Sequence, residues 1–291
     1  MTLILTLVTR DTSALKLAKD APGGVGAPKE RAGRTWCILT RLIDPALQPD
    51  LVAHLQSEAP AFQADWAVTP ETNRRKRLLI SDMDSTIIGQ ECLDELADFA
   101  GLKAEVSAIT DRAMRGELDF ASALTERVAM LKGLDLSALE ACYSQRVTLN
   151  PGACELTATM KANGARCVLV SGGFRFFTSR VAKAAGFDVD RANTLIDDGK
   201  SLTGQVGQPI LGREAKLAAL RDETSAFGLT PADAVALGDG ANDLDMIRAA
   251  GLGVAYKAKP IVAAETLARI EHTDLTAALF FQGYQEEDLV S

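Results

Sequence analysis

From residue 78 onward, short runs of apolar residues ended by polar turns alternate with amphipathic stretches. This is the pattern of parallel strands buried on both faces by helices. The runs Leu78 to Ser81, Arg166 to Val170, Ala234 to Leu237 and Leu252 to Ala255 predict four such strands. Helical periodicity predicts helices over Phe174 to Ala185 and Arg213 to Phe227, with Gly186 and Gly228 as stops. The expected fold class is α/β, with a doubly wound parallel-sheet core. Between the first two of these strands, residues 91–145 carry apolar positions such as Leu93, Leu96 and Ala100 at helical spacing. That length exceeds a simple crossover, and the segment rises where open α/β sheets bind ligands. It reads as a helical cap over a crevice.

The first 70 residues follow a different grammar. Leu3-Leu5-Leu7, Trp36-Ile38 and Phe62-Ala64-Trp66-Val68 alternate with period two, while Leu47, Leu51, Val52 and Leu55 recur helically. These predict a small α+β amino-terminal domain over 1–76, joined by the polar run Glu71 to Arg77 to a core over 77–291. Pro22, Gly23, Gly24, Gly26, Pro28 and Gly33 predict a mobile loop between the first two strands.

Composition narrows the chemistry. With 39 acidic and 31 basic side chains the net charge is -8, and the longest basic block is Arg74-Arg75-Lys76-Arg77, so a nucleic-acid partner is not expected. No apolar stretch approaches the roughly 20 residues of a membrane-spanning helix, and Met1 to Val8 lacks a basic region before it. The expectation is a cytoplasmic protein with no membrane partner; a homodimer stays open. Five cysteines stand singly, and His54 and His272 are the only histidines. That argues against a zinc site or disulfide framework, and leaves general acid–base work to carboxylates, lysine or tyrosine.

Asp82 and Asp84 follow an apolar strand two residues apart, where both can point to one side. Two adjacent anions call for a hard cation with oxygen ligands, and Mg²⁺ suits them. The second strand ends in Ser171-Gly172-Gly173, a small phosphate cradle or equally an ordinary turn. The third ends in Gly238-Asp239-Gly240-Ala241-Asn242-Asp243, a further metal-facing cluster. Lys216, near a helix start, reads by itself as a surface lysine, although phosphoryl transfer needs a cation.

Taken in order, Asp82-Met83-Asp84-Ser85-Thr86, Ser171-Gly172-Gly173, Lys216 and Gly238 to Asp243 resemble the four motifs of the haloacid dehalogenase superfamily of phosphatases. Within it, Glu91, Met114, Phe120, Arg127, Phe174 and Ala192-Asn193 are similar to the phosphoserine phosphatases, specifically the bacterial type with an extra amino-terminal region. The resemblance implies hydrolysis of O-phospho-L-serine, the last step of the phosphorylated route to serine. Asp82 would be the nucleophile and Asp84 the acid, then base. Ser171, Gly172, Lys216 and Asn242 would hold the phosphoryl group. Glu91, Met114, Phe120 and Arg127 would face the rest of the substrate, Glu91 meeting its ammonium and Arg127 its carboxylate. Mg²⁺ would be held by Asp82, the Asp84 main-chain carbonyl and Asp239.

Without the resemblance, Glu91 reads as part of an acidic helix face with Glu95 and Asp98, and Arg127 as solvated. Related long enzymes carry a regulatory domain of the amino-acid-binding ACT type, of which the first 77 residues show only parts. Two other readings stand beside hydrolysis: phosphoryl transfer to another hydroxyl amino acid, and a non-catalytic phospho-acceptor or amino-acid sensor.

Overall fold

The computed structural model describes residues 2–33, 35–114 and 117–290. The amino-terminal segment forms β1 (Leu3–Thr9), α1 (Leu15–Asp20), β2 (Gly24–Ala32), β3 (Cys37–Ile43), α2 (Gln48–Glu58) and β4 (Asp65–Pro70). Its alternation works as the period-two pattern requires. Leu5, Leu7, Leu39, Ile43, Trp66 and Val68 pack with Leu17, Leu51 and Leu55 of the two helices in one cluster. Two expectations fail here. The stretch predicted as a mobile loop is the edge strand β2, paired antiparallel with β3 through a register shift between Val25 and Lys29 that absorbs its glycines and proline. Phe62 ends a 3-10 turn, Ala59–Phe62, and the strand starts only at Asp65.

The core then runs β5 (Leu78–Ser81), α3 (Cys92–Phe99), α4 (Lys103–Met114), α5 (Phe120–Met130), α6 (Leu136–Arg146), α7 (Ala153–Ala162), β6 (Arg166–Phe174), α8 (Arg175–Ala185), β7 (Val189–Asn193), β8 (Leu195–Asp197) and β9 (Leu202–Val206). It closes with α9 (Arg213–Ala226), β10 (Ala234–Gly238), α10 (Leu244–Ala249), β11 (Leu252–Tyr256), α11 (Pro260–Ala264), β12 (Ala268–Ile270) and α12 (Ala277–Phe281). The order across the sheet is β2-β3-β1-β4-β12-β11-β10-β5-β6-β7, and β12 through β7 are mutually parallel. The amino-terminal strands are not a detached sheet, because β4 pairs antiparallel with β12 and extends the core sheet by its edge.

Successive residues of the central strands feed opposite faces, as parallel strands covered on both sides must. Leu79, Cys167, Leu169, Val235 and Leu237 join the cluster that includes Leu156, Phe177 and Val181. Leu78, Ile80, Val168, Val170, Ala234 and Ala236 pack with Leu220 and Ile247. From β5 the chain moves through β6 and β7, then returns to β10 on the other side of β5. The strand order therefore reverses between β5 and β10, and their carboxyl ends open the crevice. Four helices, Cys92 to Arg146, occupy the stretch predicted as the cap. The hairpin β8–β9, which no sequence pattern predicted, braces it: Gly133 N–H donates to the Leu202 carbonyl at 2.8 Å and Leu202 N–H to the Leu134 carbonyl at 2.9 Å.

Candidate active site

β5 delivers Asp82 to the crevice, where its N–H donates to the Leu237 carbonyl of β10 at 3.0 Å. Three N–H groups, of Thr86, Ile87 and Ile88, then converge on the Met83 carbonyl, and Ser85 takes a positive φ of 54°. The tight turn turns the chain away from the sheet before the cap begins.

Beneath the crevice lies a buried ionic chain. Lys216 Nζ is 2.8 Å from Asp82 Oδ2 and 2.6 Å from Asp243 Oδ1, with Lys216 2% and Asp243 0% exposed. The reading of Lys216 as a surface residue is thus overturned: α9 packs it inward against two carboxylates. Burial alone would push its ammonium pKa down, but Asp82 and Asp243 reverse this and hold it above its ordinary value. Asp243 Oδ2 accepts the N–H groups of Asp239 at 3.2 Å and Gly240 at 3.0 Å. Both its oxygens are occupied, which makes it a fastener between α9 and the β10 loop. Gly238 is required there, since a Cβ would collide with the Asp243 carboxylate.

Asp84 sits above. Its Oδ1 accepts Cys92 N–H, the first of α3, at 2.9 Å, and its Oδ2 accepts Ser171 Oγ–H at 3.2 Å. Burial, and after it the charge of Glu91, pushes its pKa up to about 6, so it can carry a proton near neutrality. Ser171 Oγ in turn accepts Gly173 N–H at 2.8 Å. A Cβ on Gly173 would lie 3.0 Å from both Asp84 Oδ2 and Ser171 Oγ, so the glycine lets the backbone approach. Asn193 of β7 shapes the cradle from behind: its amide donates to the Gly172 carbonyl at 2.8 Å and accepts Leu211 N–H at 2.7 Å.

The crevice encloses about 140 Å³, and its walls include Asp82, Asp84, Ser171, Gly172, Asp239 and Asn242 from the core with Glu91, Phe120 and Arg127 from the cap. Glu91 is exposed and accepts Ser85 Oγ–H at 2.7 Å, whereas Glu95 and Asp98 turn away to Arg146, both at 3.2 Å. Arg127 is half-buried, its Nε donating to the Ala123 carbonyl at 3.2 Å, and burial lowers its pKa against the pull of Asp94 and Glu91. Neither side chain forms a plain solvated face. Lys216 lies just below the crevice floor; Met114 ends α4, and its side chain is outside the described residues. Leu93, Leu124 and Lys259 also line the crevice and were not foreseen, whereas Gly173 belongs to the expected Ser171-Gly172-Gly173 cradle. Lys259 could have been found by its place just beyond the carboxyl end of β11.

Asp82, Asp239 and Asp243 bring carboxylate oxygens within 4.8 Å of one another. Asp84's carboxylate lies outside this group, engaged by Cys92 and Ser171. Asp239 is 8% exposed, and among the described residues the hydrogen bond given to its carboxylate is a long one, 3.4 Å from Thr86 Oγ1. Burial first, then Asp243 and Glu91, pushes its pKa up to about 6, and burial with Asp243 likewise raises Asp82 well above the usual carboxylate range. Asp82 and Asp243 share the Lys216 ammonium while Asp239 has no such partner among the described residues, all donors are hard oxygens, and the set fits a divalent cation such as Mg²⁺.

Residues 79–248 match the family model of haloacid dehalogenase-like hydrolases. The chain is 46% identical over 208 residues to a phosphoserine phosphatase of Polaromonas sp., an alignment covering 70% of this chain and 88% of that one. A haloacid dehalogenase family hydrolase from Salmonella enterica serovar Typhi superposes with TM-score 0.89 at 30% identity, covering 98% of this chain and 99% of that chain. A phosphoserine phosphatase solved as a phospho-aspartyl intermediate analogue matches with TM-score 0.65 at 39% identity, over 71% of this chain and 99% of that one.

Proposed function

This chain belongs to the haloacid dehalogenase-like hydrolase family, and we propose that it hydrolyses O-phospho-L-serine to serine and phosphate, with Asp82 as nucleophile. One observation carries the reading. The same crevice holds a buried carboxylate–lysine pair at its core end and, on its cap wall, one anion and one cation, Glu91 and Arg127. An amino-acid zwitterion bearing a phosphate needs these three things together, and a sugar phosphate has no use for the last two.

In this mechanism an Asp82 carboxylate oxygen attacks phosphorus while the bond from phosphorus to the serine oxygen breaks. Asp84, held toward Ser171 and able to keep a proton near neutrality, donates it to the departing oxygen. Water then attacks the aspartyl phosphate with Asp84 taking its proton, so phosphate leaves and the Asp82 carboxylate is restored. Lys216, Ser171 and the Gly172–Gly173 backbone would offset charge on the phosphoryl oxygens. Asp82, Asp239 and the Asp84 carbonyl would hold Mg²⁺, which supplies electrostatic stabilisation of the transferring group. The cap excludes bulk water. In this reading residues 1–76 are an accessory α+β unit, and residues 77–291, with the cap at about 91–145, carry the chemistry.

The test is phosphate release from O-phospho-L-serine, phosphothreonine, phosphoethanolamine and a sugar phosphate, with Mg²⁺ and with chelator. A Mg²⁺-dependent preference for phosphoserine is expected. Equal rates across the panel would remove the substrate assignment.

A further inference from the structure

The chain carries a net charge of -8, yet in one recess remote from the crevice the charged lining residues are all cations. It lies between the outer face of the amino-terminal sheet and the segment after α12, and encloses about 200 Å³. Lys29, Arg31, Thr40, Arg74, Tyr284 and Gln285 carry its polar groups.

Arg74 is the unusual member. Its Nη2 donates to Thr6 Oγ1 of β1 at 2.9 Å and to the Phe281 carbonyl at the end of α12, also at 2.9 Å. Its Nε–H is buried and meets no acceptor. Burial lowers its pKa with no carboxylate beside it to oppose the shift. Arg31 donates to a neutral partner, Gln285 Oε1, at 2.8 Å. The acids nearest in sequence point elsewhere: Glu30 accepts from Cys37 Sγ–H at 3.6 Å and Glu286 from Thr35 N–H at 3.2 Å. Among the described residues no ion pair reaches Lys29, Arg31 or Arg74. A half-buried guanidinium with an unfilled Nε donor, lining a recess beside two further cations, is a group in want of an anion.

We propose that this recess binds a phosphate group. Three cations match a dianionic tetrahedral oxyanion better than a singly charged carboxylate, and guanidinium donors suit several phosphate oxygens at once. The group could arrive as free phosphate or on a small phosphomonoester, since both contain the same PO₃ face. Its occupant would link β2 to the connector and to the carboxyl end of α12, tying the amino-terminal sheet to the catalytic core.

Side-chain ¹H–¹⁵N spectra of the arginine Nε–H groups test this on the full chain, in the Asp82→Asn background so that esters are not consumed. The Arg74 signal is identified by its loss in Arg74→Lys. Inorganic phosphate, O-phosphoserine and acetate are titrated at constant ionic strength. A saturable shift of the Arg74 signal with inorganic phosphate is the expected result; a shift with phosphoserine alone would support the site and identify the ester as its occupant. No saturable shift with either, or the same shift with acetate, overturns the proposal. Lys29→Met with Arg31→Met should weaken that titration at least about tenfold. In the otherwise native chain the same pair should leave phosphatase turnover unchanged. An unchanged titration would also overturn the proposal.

Discussion

Asp243→Asn is the sharpest probe of how the site is held, because it changes one atom's chemistry at a position with no solvent exposure. The native carboxylate accepts three donors: Lys216 Nζ at 2.6 Å on one oxygen, and the N–H groups of Asp239 and Gly240 on the other. An amide has one accepting oxygen. Whichever way it turns, its NH₂ faces either an ammonium or two backbone N–H groups, and a buried donor set goes unfilled. Lys216 also loses one of its two anions while remaining buried. Breaking a buried pair by removing one partner costs about 3–5 kcal/mol. Asp82→Asn, by contrast, takes one negative charge from three crowded carboxylates and leaves Lys216 paired with Asp243. Stability and activity should therefore dissociate between the two variants. Urea unfolding without metal should show Asp243→Asn destabilised by about 3 kcal/mol or more and Asp82→Asn by much less, while phosphate release is lost in Asp82→Asn. An Asp243→Asn chain as stable as the parent, or an Asp82→Asn chain less stable than Asp243→Asn, would refute the assignment of Asp243 as the fastener.

Asp84→Asn should lower kcat by about 10² to 10⁴-fold, the usual contribution of a positioned acid–base group; a loss under tenfold in single-turnover measurements would point to another proton carrier. Arg127→Ala should raise KM for phosphoserine much more than for phosphoethanolamine, which lacks the carboxylate, and equal losses on both would sink the zwitterion reading. Chelation should stop phosphate release and added Mg²⁺ restore it, with Mg²⁺ also raising the midpoint of thermal unfolding of the metal-free chain; turnover that persists in excess chelator would exclude the metal assignment.

What the sequence discloses here is what repeats or what is out of place. Strand after strand of apolar residues ending in Asp, Ser-Gly-Gly or Gly-Asp-Gly made the sheet core and the crevice floor legible, because charge at the end of a buried strand has few structural uses. Lys216 was illegible by itself, since a lysine one turn into a helix is nearly always solvated; only the inward packing of α9 against β5 and β6 reveals that it is buried. Edge strand β2 was hidden by its glycines and by Pro28, which a sheet tolerates at an edge and nowhere else. The same placement explains why the amino-terminal strands add to β12. An exposed β12 edge would present unpaired N–H and C=O groups, and β4 covers them, with Ala67 opposite Ala268 and Trp66 opposite Arg269. That pairing carries no local sequence signal, because it joins segments some 200 positions apart. It also puts the connector carrying Arg74 under the amino-terminal sheet and beside α12, so the cation-lined recess arises from the same long-range contact and could only be seen once the chain was folded.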